Sequence, residues 1–138
     1  MVVRPVRVEQ TRALRQAVLR PFMTIGEMDE SEPPDAFAVG AFDDDDELVA
    51  VGLIGPEGDP GAWRIRGMAA APAVRGRGAG TAVLDALLEH ARSQGAASVW
   101  ANVRIPARRL YERAGFRPIS DEFEEPMIGP HMVMSRTL

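Results

Sequence analysis

Two residue types are absent from this 138-residue chain: it has no cysteine, and all 16 of its basic residues are arginine. Without cysteine there are no disulfides, no thiolate metal sites and no thiol nucleophile. Without lysine there is no Schiff-base chemistry and no P-loop lysine. The two histidines, His90 and His131, are too few for a histidine-rich metal site. We therefore expect chemistry with no bound metal and no covalent enzyme intermediate.

Long apolar runs and an excess of positive charge are also lacking. No segment approaches the roughly 20 apolar residues of a membrane helix, and residues 1–5 carry no apolar stretch typical of a signal peptide. The net charge is −4 and the isoelectric point is near 5.2, whereas nucleic-acid-binding domains are usually basic. We expect a cytoplasmic protein that binds neither membranes nor nucleic acid.

The rest of the composition is typical of one globular domain. Apolar residues make up 46% of the chain, charged residues 26%, and the 13 glycines and 11 prolines are too few to indicate disorder. A chain of this length can bury a core without disulfides. Strand and helix patterns follow the order β-α-β-β-β-α-β-α-β-β. We therefore predict the α/β class, with residues 1–138 forming a single domain whose mixed sheet is flanked by helices.

Apolar periodicity predicts the individual elements. The clearest helix follows residue 80 and ends before Gly95, because five apolar residues share one face: Val83, Leu84, Leu87, Leu88 and Ala91. A first helix is expected over residues 9–20, with Leu14, Ala17 and Val18 on its apolar face, and another over 106–114. Strands are expected at residues 2–8, 36–42, 48–54, 63–69, 98–103, 116–119 and 131–135. Residues 121–125 are expected to form an acidic loop.

The strongest chemical signal is a glycine-rich turn, Arg75-Gly76-Arg77-Gly78-Ala79-Gly80, between a strand and the clearest helix. The first backbone N–H groups of a helix are unpaired, and the helix dipole places positive potential there. Glycines let phosphates approach this backbone without a Cβ in the way. The turn therefore favours a diphosphate ligand. Tight packing of the strand against the helix is the alternative explanation.

Three diphosphate-binding motifs compete for this turn. The P-loop is excluded because no Gly-Lys-Ser/Thr follows, and the dinucleotide fingerprint is excluded because its third glycine, counted from Gly76, is Thr81. The spacing Arg/Gln-x-x-Gly-x-Gly/Ala fits, with Arg75, Gly78 and Gly80 in the required places. This spacing resembles the pyrophosphate arm of the GNAT superfamily, the acyl-CoA-dependent N-acyltransferases.

The resemblance extends along nearly the whole chain and is most specific over residues 63–117. Residues 107–116 (ARRLYERAGF) are similar to the family's Ala-x-x-x-Tyr-x-x-x-Gly-Phe helix, and Gly67-Met68-Ala69 ends the strand that lines pantetheine in such enzymes. Residues 14–21 and 128–131 look like one small, mostly uncharacterised bacterial subgroup. The resemblance implies a GNAT-like, mainly antiparallel sheet.

The resemblance also implies an N-acetyltransferase that transfers an acetyl group from acetyl-CoA to a primary amine of a small molecule or protein, by direct attack in a ternary complex. A backbone N–H of Ala69 or Ala70 would polarise the acetyl carbonyl. The residues implied to bind the cofactor are Met68, Ala69, Ala70, Arg75, Gly76, Arg77, Gly78, Ala79, Gly80, Thr81, Asn102 and Arg104. The family's asparagine position is Arg104 here, with Asn102 on the same strand face. Either residue contacts the cofactor, or Arg104 faces an acidic acceptor.

Tyr111, the single tyrosine, matches the family's tyrosine, which implies that it is the acid that protonates the departing thiolate. Ordinary packing of an amphipathic side chain is the alternative. The sequence leaves three kinds of general base open: an acidic side chain, His131, or ordered water. The acidic candidates are Glu27, Asp29, Glu30, Glu122, Glu124 and Glu125. A structural or an exposed position, with no catalytic role, is expected for His90.

Other features leave further alternatives open. Arginines at positions 104, 108, 109, 113 and 117 are expected to form solvated faces, with some of them meeting the 3′-phosphate of CoA. A CoA-binding sensor or interaction module on the same fold is the alternative function. The expected partners are acetyl-CoA and an amine acceptor, with a homodimer as one open assembly state. The identity of the acceptor cannot be read from the sequence.

Overall fold

The computed structural model describes residues 1–24, 26–27, 32–33 and 35–138. The helices are α1 (Val8–Leu19), α2 (Ala79–Ser93) and α3 (Arg108–Arg113), with short 3-10 turns at Pro72–Val74 and Ile105–Ala107. The strands are β1 (Val2–Val6), β2 (Phe37–Phe42), β3 (Leu48–Pro56), β4 (Ala62–Ala70), β5 (Ser98–Arg104), β6 (Arg117–Pro118), β7 (Phe123–Glu125) and β8 (Gly129–Thr137). This confirms the predicted mixed α/β class.

The strands form one sheet in the order β1-β2-β3-β4-β5-β8-β6, and β7 pairs with β8. All neighbouring pairs are antiparallel except β4 and β5, which are parallel. Strand β1 lies at the edge, as its proline predicts, because an edge strand does not need every N–H for pairing. The mainly antiparallel sheet expected from the resemblance is therefore present.

Helices α1 and α2 cover opposite faces of this sheet. Gly52 and Leu53 are neighbours in β3, so their side-chain positions face opposite sides. A Cβ at Gly52 would lie 2.8 Å from Cδ1 of Leu87 in α2, whereas a Cβ at Gly67 would lie 3.4 Å from Leu53 and 2.8 Å from Arg15 of α1. Residues 49–55 of β3 are consequently buried on both sides.

Helix α2 agrees closely with its prediction. The five residues of the expected apolar face are between 0% and 3% exposed. The chain leaves the helix through Gly95, whose φ of 79° is in the left-handed region.

Among the described residues, no helix is both long enough and apolar enough to span a bilayer.

The predicted apolar face of α1 is half-buried at Leu14 and Val18, and the prediction was wrong for Ala17. The residues that α1 buries are Thr11 and Arg15, whereas Ala17 is exposed. These polar side chains are buried because they have partners: the Thr11 hydroxyl donates to the Val8 carbonyl at 2.7 Å, and the Arg15 guanidinium pairs with Glu32. The partner of Arg15 is 17 residues away in the sequence, so periodicity within the helix does not reveal why this side chain is buried.

The predicted order lacked one strand. Phe123–Glu125 forms β7, with Phe123 opposite His131 of β8, so the prediction of an acidic loop was wrong for these three residues. A segment this short carries no periodicity, and its strand conformation comes from pairing with β8. The structure also starts β8 at Gly129, two residues before the predicted start, and reduces β6 to Arg117–Pro118.

The feature that positions the site is the divergence of β4 from β5. Their parallel register covers only Ala62–Arg64 against Ser98–Trp100. Beyond these residues the two strands are no longer paired, although each remains paired on its other side. A cleft therefore opens in the middle of the sheet, with strand backbone on both of its walls.

Candidate active site

A cavity of about 630 Å³ occupies this cleft. Its walls are residues 65–70 of β4, residues 102–104 of β5, the C-terminal end of α1, Leu110 and Tyr111 of α3, and the start of β8. The volume lies within the range of small-molecule sites, about 300–1,000 Å³. Arg75 and Gly80 line one end of the cavity, so the glycine-rich turn borders it.

The glycine-rich turn leaves the start of α2 open. Gly78 is the residue before the helix, with a φ of 83° and no side chain capping the helix. A Cβ at Gly76 or Gly78 would have no neighbour within 4 Å. Several N–H groups find no acceptor among the described residues, namely those of Gly76, Gly78, Ala79, Gly80 and Thr81. This arrangement suits an anionic ligand that accepts backbone hydrogen bonds.

The cofactor residues implied by the resemblance fall into two groups. Those that line the large cavity are Met68, Ala69, Ala70, Arg75, Gly80, Asn102 and Arg104. Those that belong to the glycine-rich turn or the first turn of α2 without lining the cavity are Gly76, Arg77, Gly78, Ala79 and Thr81. Ala79 belongs to the buried core and is 2% exposed.

A β-bulge in β4 shapes the cavity next to the glycine-rich turn. The register between β3 and β4 shifts between Val51 and Leu53, opposite Gly67 and Met68. Gly67 has a φ of 63°, and Gly52 leaves room for Met68, since a Cβ there would lie 2.5 Å from the Met68 Sδ. The bulge re-aims the backbone just before Ala69.

Tyr111 lines the same cavity from α3. The residue is 4% exposed, and its ring packs edge-to-face on Phe116 with centroids 5.3 Å apart. Burial raises the pKa of the phenol well above its usual value. The phenol is therefore neutral over the physiological pH range and can donate a hydrogen bond.

A second cavity of about 200 Å³ adjoins the first. Seven residues line both cavities: Leu19, Arg20, Ile65, Arg66, Gly67, Asn102 and His131. The two cavities therefore meet beside the β4 bulge. A donor held in the larger cavity and an acceptor held in the smaller one would meet at this junction.

His131 stands at the junction in a defined tautomer. Its Nδ1 lies 2.8 Å from the Gly129 carbonyl, which can only accept a hydrogen bond. Nδ1 therefore carries the proton in the neutral ring, and Nε2 has the free electron pair. The ring is buried and lies against Phe123, with centroids 6.0 Å apart.

Two glutamates near the smaller cavity are each held by two arginines. Burial alone would raise the pKa of Glu32, but hydrogen bonds from Arg12 and Arg15 outweigh burial and hold that pKa below its usual value. Glu57 behaves in the same way, through hydrogen bonds from Arg66 at 2.7 Å and Arg64 at 2.8 Å. Both carboxylates are consequently poor proton acceptors.

The other proposed bases are placed differently. Glu125 is half-buried and lines the smaller cavity. Glu122 and Glu124 are exposed and line neither cavity. Glu27 also lines neither cavity, and its carboxylate accepts a hydrogen bond from the Thr24 N–H. Asp29 and Glu30 lie outside the described residues. Among the described candidates, the structure brings only Glu125 and His131 to the cavities.

Sequence reasoning missed the contribution of α1 and β4 to the smaller cavity. Arg15, Arg20 and Arg66 line it, although none was a candidate site residue. The available signal was weak: Arg12 and Arg15 are three residues apart on one helix face, and Arg20 directly precedes a proline. His90 has the structural role expected, stacked on Phe37 with centroids 3.6 Å apart.

Comparison with known proteins agrees with this geometry. The model of the acetyltransferase (GNAT) family matches residues 5–116. The chain is 29% identical, over 143 aligned residues, to the uncharacterized N-acetyltransferase YitI of Bacillus subtilis (strain 168), and the alignment covers 99% of this chain and 95% of that protein.

Solved structures share the fold. An aminoglycoside 6'-N-acetyltransferase complexed with coenzyme A matches with a TM-score of 0.80 and 16% identity, covering 99% of this chain and 97% of that one. A GCN5-related N-acetyltransferase from Kribbella flavida matches with a TM-score of 0.76 and 21% identity over the same shares. Because the family match covers most of the sequence, the chain belongs to the GNAT acetyltransferase family and is an acyltransferase with a CoA-type donor and a separate acceptor.

Proposed function

We propose that this protein is an N-acetyltransferase that transfers the acetyl group of acetyl-CoA to a primary amine of a small molecule or protein, by direct attack in a ternary complex. The amine nitrogen forms a bond to the acetyl carbon and the carbon–sulfur bond breaks. The amine loses one proton, the departing sulfur gains one, and the products are an N-acetylated amine and free CoA. The absence of cysteine agrees with a route that has no acyl-enzyme.

The observation that carries this proposal is the uncapped helix start joined to a continuous cavity. The N–H groups of Gly76 and of residues 78–81 lack acceptors among the described residues, and Arg75 and Gly80 connect them to the cleft between β4 and β5. The pyrophosphate would accept hydrogen bonds from these N–H groups. The pantetheine chain would lie along residues 67–70 of β4, which supply backbone polar groups as a neighbouring strand would.

We assign the roles of the reacting groups from the residues that line the cavities. A backbone N–H of Ala69 or Ala70, beyond the bulge, polarises the acetyl carbonyl. Tyr111, protonated because burial raises its pKa, donates its hydrogen to the sulfur as negative charge develops there. His131 takes the proton of the attacking amine at Nε2, the nitrogen left free by the hydrogen bond to Gly129.

The smaller cavity favours an enzyme over a CoA-binding sensor. A sensor needs the donor site alone, whereas transfer needs a second site that meets the first near the reacting carbonyl. The junction at His131 and Asn102 supplies that arrangement. We further propose, from the sequence, a single cytoplasmic domain over residues 1–138 that binds neither nucleic acid nor membranes, with a homodimer as an open possibility.

The test is a thermal shift with acetyl-CoA, together with CoA release in the presence of amines. A ligand at about 100 times its Kd stabilises the folded state by about 2.7 kcal/mol, several degrees in Tm for a chain this size. Gly78→Glu should abolish the shift, because the carboxylate occupies the phosphate position and repels the ligand.

Gly95→Glu is the matched control. Gly95 lies at the other end of α2, with a φ of 79° against 83° at Gly78, and a Cβ at either position has no neighbour within 4 Å. Backbone strain and added charge are therefore the same. An unchanged shift in Gly78→Glu, or an equal loss in both variants, would contradict the proposed donor site.

A further inference from the structure

The charges around the smaller cavity are predominantly positive. The arginines that line the two joined cavities away from the glycine-rich turn are Arg15, Arg20, Arg64, Arg66 and Arg104, whereas the glutamates that line them are Glu32 and Glu125. An acceptor entering this space therefore meets more guanidinium groups than carboxylates.

Most of these arginines already have a carboxylate partner. Arg15 pairs with Glu32, and Arg64 and Arg66 both pair with Glu57. Within the part of the chain that the structure describes, Arg20 and Arg104 have no carboxylate at ion-pair distance. These two guanidinium groups are the ones available to a ligand.

Arg20 and Arg104 are also close enough to influence each other. Burial lowers the pKa of Arg20, the Glu125 carboxylate raises it, and the Arg104 guanidinium lowers it by a smaller amount. Both side chains are half-buried and line the large cavity, and Arg20 also lines the smaller one. Two like charges held together in a partly buried wall are relieved when an anion binds between them.

Glu125 complements this pair. It is half-buried, lines the smaller cavity and, unlike Glu32 and Glu57, forms no ion pair with a described residue. A carboxylate suits the ammonium form in which a primary amine arrives. The cavity thus offers two positive groups and one negative group, which is the pattern that a zwitterionic or anionic amine would match.

We infer that the acceptor is an amine that also carries an anionic oxygen group, a carboxylate or a phosphate, bound by Arg20 and Arg104 while its nitrogen faces His131. This inference rests on the proposed function and names the substrate class of that same site. Guanidinium groups bind carboxylates and phosphates through paired hydrogen bonds, which fixes the orientation of the acceptor as well as its charge.

The experiment compares amines that differ only in the anionic group, with acetyl-CoA as donor and CoA release as readout. The probe pairs are β-alanine with propylamine, γ-aminobutyrate with butylamine, and O-phosphoethanolamine with ethanolamine. We expect the anionic member of at least one pair to have a kcat/KM about tenfold or more above its partner. The third pair distinguishes phosphate from carboxylate recognition.

Arg20→Gln and Arg104→Gln should remove this preference, and Arg20→Gln should leave the KM for acetyl-CoA within about twofold. Arg7→Gln is the control at the other end of α1, because that side chain is 77% exposed and its contact with Glu9 is 3.8 Å. Equal or better use of the uncharged amines, or an Arg20→Gln variant that slows both members of a pair alike, would overturn the inference.

A binding measurement separates this inference from the proposed function. Calorimetric titration of the same probe pairs into the full-length protein saturated with CoA requires no turnover. Binding of an anionic probe that is lost in Arg20→Gln supports the inference even if no amine releases CoA, whereas equal binding of both members, or binding of neither, refutes it. Failure of the proposed function appears instead as a missing acetyl-CoA thermal shift.

Discussion

Tyr111 and His131 line the same cavity, although they are 20 residues apart in the chain. Each carries a proton state suited to its proposed role. Burial keeps the phenol protonated by raising its pKa, and the Gly129 carbonyl leaves the Nε2 of His131 as an acceptor. The phenol hydrogen is available to the leaving sulfur, and the imidazole electron pair is available to the amine.

Tyr111→Phe and His131→Gln should therefore lower kcat by about 10²–10⁴-fold and leave the KM for acetyl-CoA nearly unchanged, because each removes proton transfer and little binding. Steady-state kinetics at varied acetyl-CoA concentration measures this split.

The two variants have internal controls. Phenylalanine keeps the edge-to-face contact with Phe116, so Tyr111→Phe tests the hydroxyl rather than the packing. His90→Gln changes the other histidine, which stacks on Phe37 away from the described cavities, and should retain the wild-type rate. If the Tyr111→Phe enzyme had a normal kcat, the role of Tyr111 would be packing and not proton donation.

At the scale of elements, the packing between β3, β4 and α2 determines the shape of the larger cavity. Gly52 lies opposite the β4 bulge, and a Cβ there would approach the Met68 Sδ to 2.5 Å and the Leu87 Cδ1 to 2.8 Å. Met68 lines the cavity. A side chain added at Gly52 would therefore displace Met68 and change the shape of the cavity.

Gly52→Ala should therefore destabilise the protein by about 1–3 kcal/mol through overpacking and raise the KM for acetyl-CoA. Chemical denaturation and steady-state kinetics measure the two effects. Gly55→Ala is the control on the same strand, because a Cβ there has its first contact at 3.6 Å, an ordinary distance. Equal effects of the two substitutions would mean that crowding at Met68 is not the cause.

At the scale of the whole molecule, two glutamate–arginine clusters near the smaller cavity make the free energy of unfolding depend on pH in the acidic range. Glu32 is bound by Arg12 and Arg15, and Glu57 by Arg64 and Arg66. Both carboxyls have a pKa below the value of 4.5 that they regain on unfolding. The folded state therefore binds these protons less readily than the unfolded state.

This linkage predicts stability that is fully present above about pH 4.5 and is lost as the pH falls through the folded pKa of each carboxyl. Glu32→Gln should destabilise the protein at neutral pH by about 3–5 kcal/mol, because it leaves the buried Arg15 guanidinium without its counter-charge. It should also weaken the dependence of unfolding free energy on acidic pH, measured by urea titration between pH 3 and pH 7.

Glu57→Gln provides the comparison, because the Glu57 side chain is 34% exposed against 5% for Glu32. Water compensates part of its charge, so its substitution should cost less. If the two variants had equal stability, burial of the Arg15–Glu32 pair would not be the source of the effect.

The chain order by itself determined the elements whose signals are local. The apolar face of α2, the stop at Gly95 and the glycine-rich turn before the helix depend on residues within a few positions of one another, so their spacing in the sequence is their spacing in space. The arginine and glycine spacing of that turn, together with the tyrosine helix, was enough to indicate the family and its donor.

Tertiary structure alone decided the rest. Four features join residues from distant segments of the chain. They are the divergence of β4 from β5, the pairing of β7 with β8, the ion pair of Arg15 with Glu32, and the shared cavity of Arg20, Arg104 and His131. Their neighbours are determined by packing and strand pairing, which carry no periodicity along the chain. The proposed donor site could therefore be predicted largely from local motifs, whereas the proposed acceptor site is formed by residues from several separate elements.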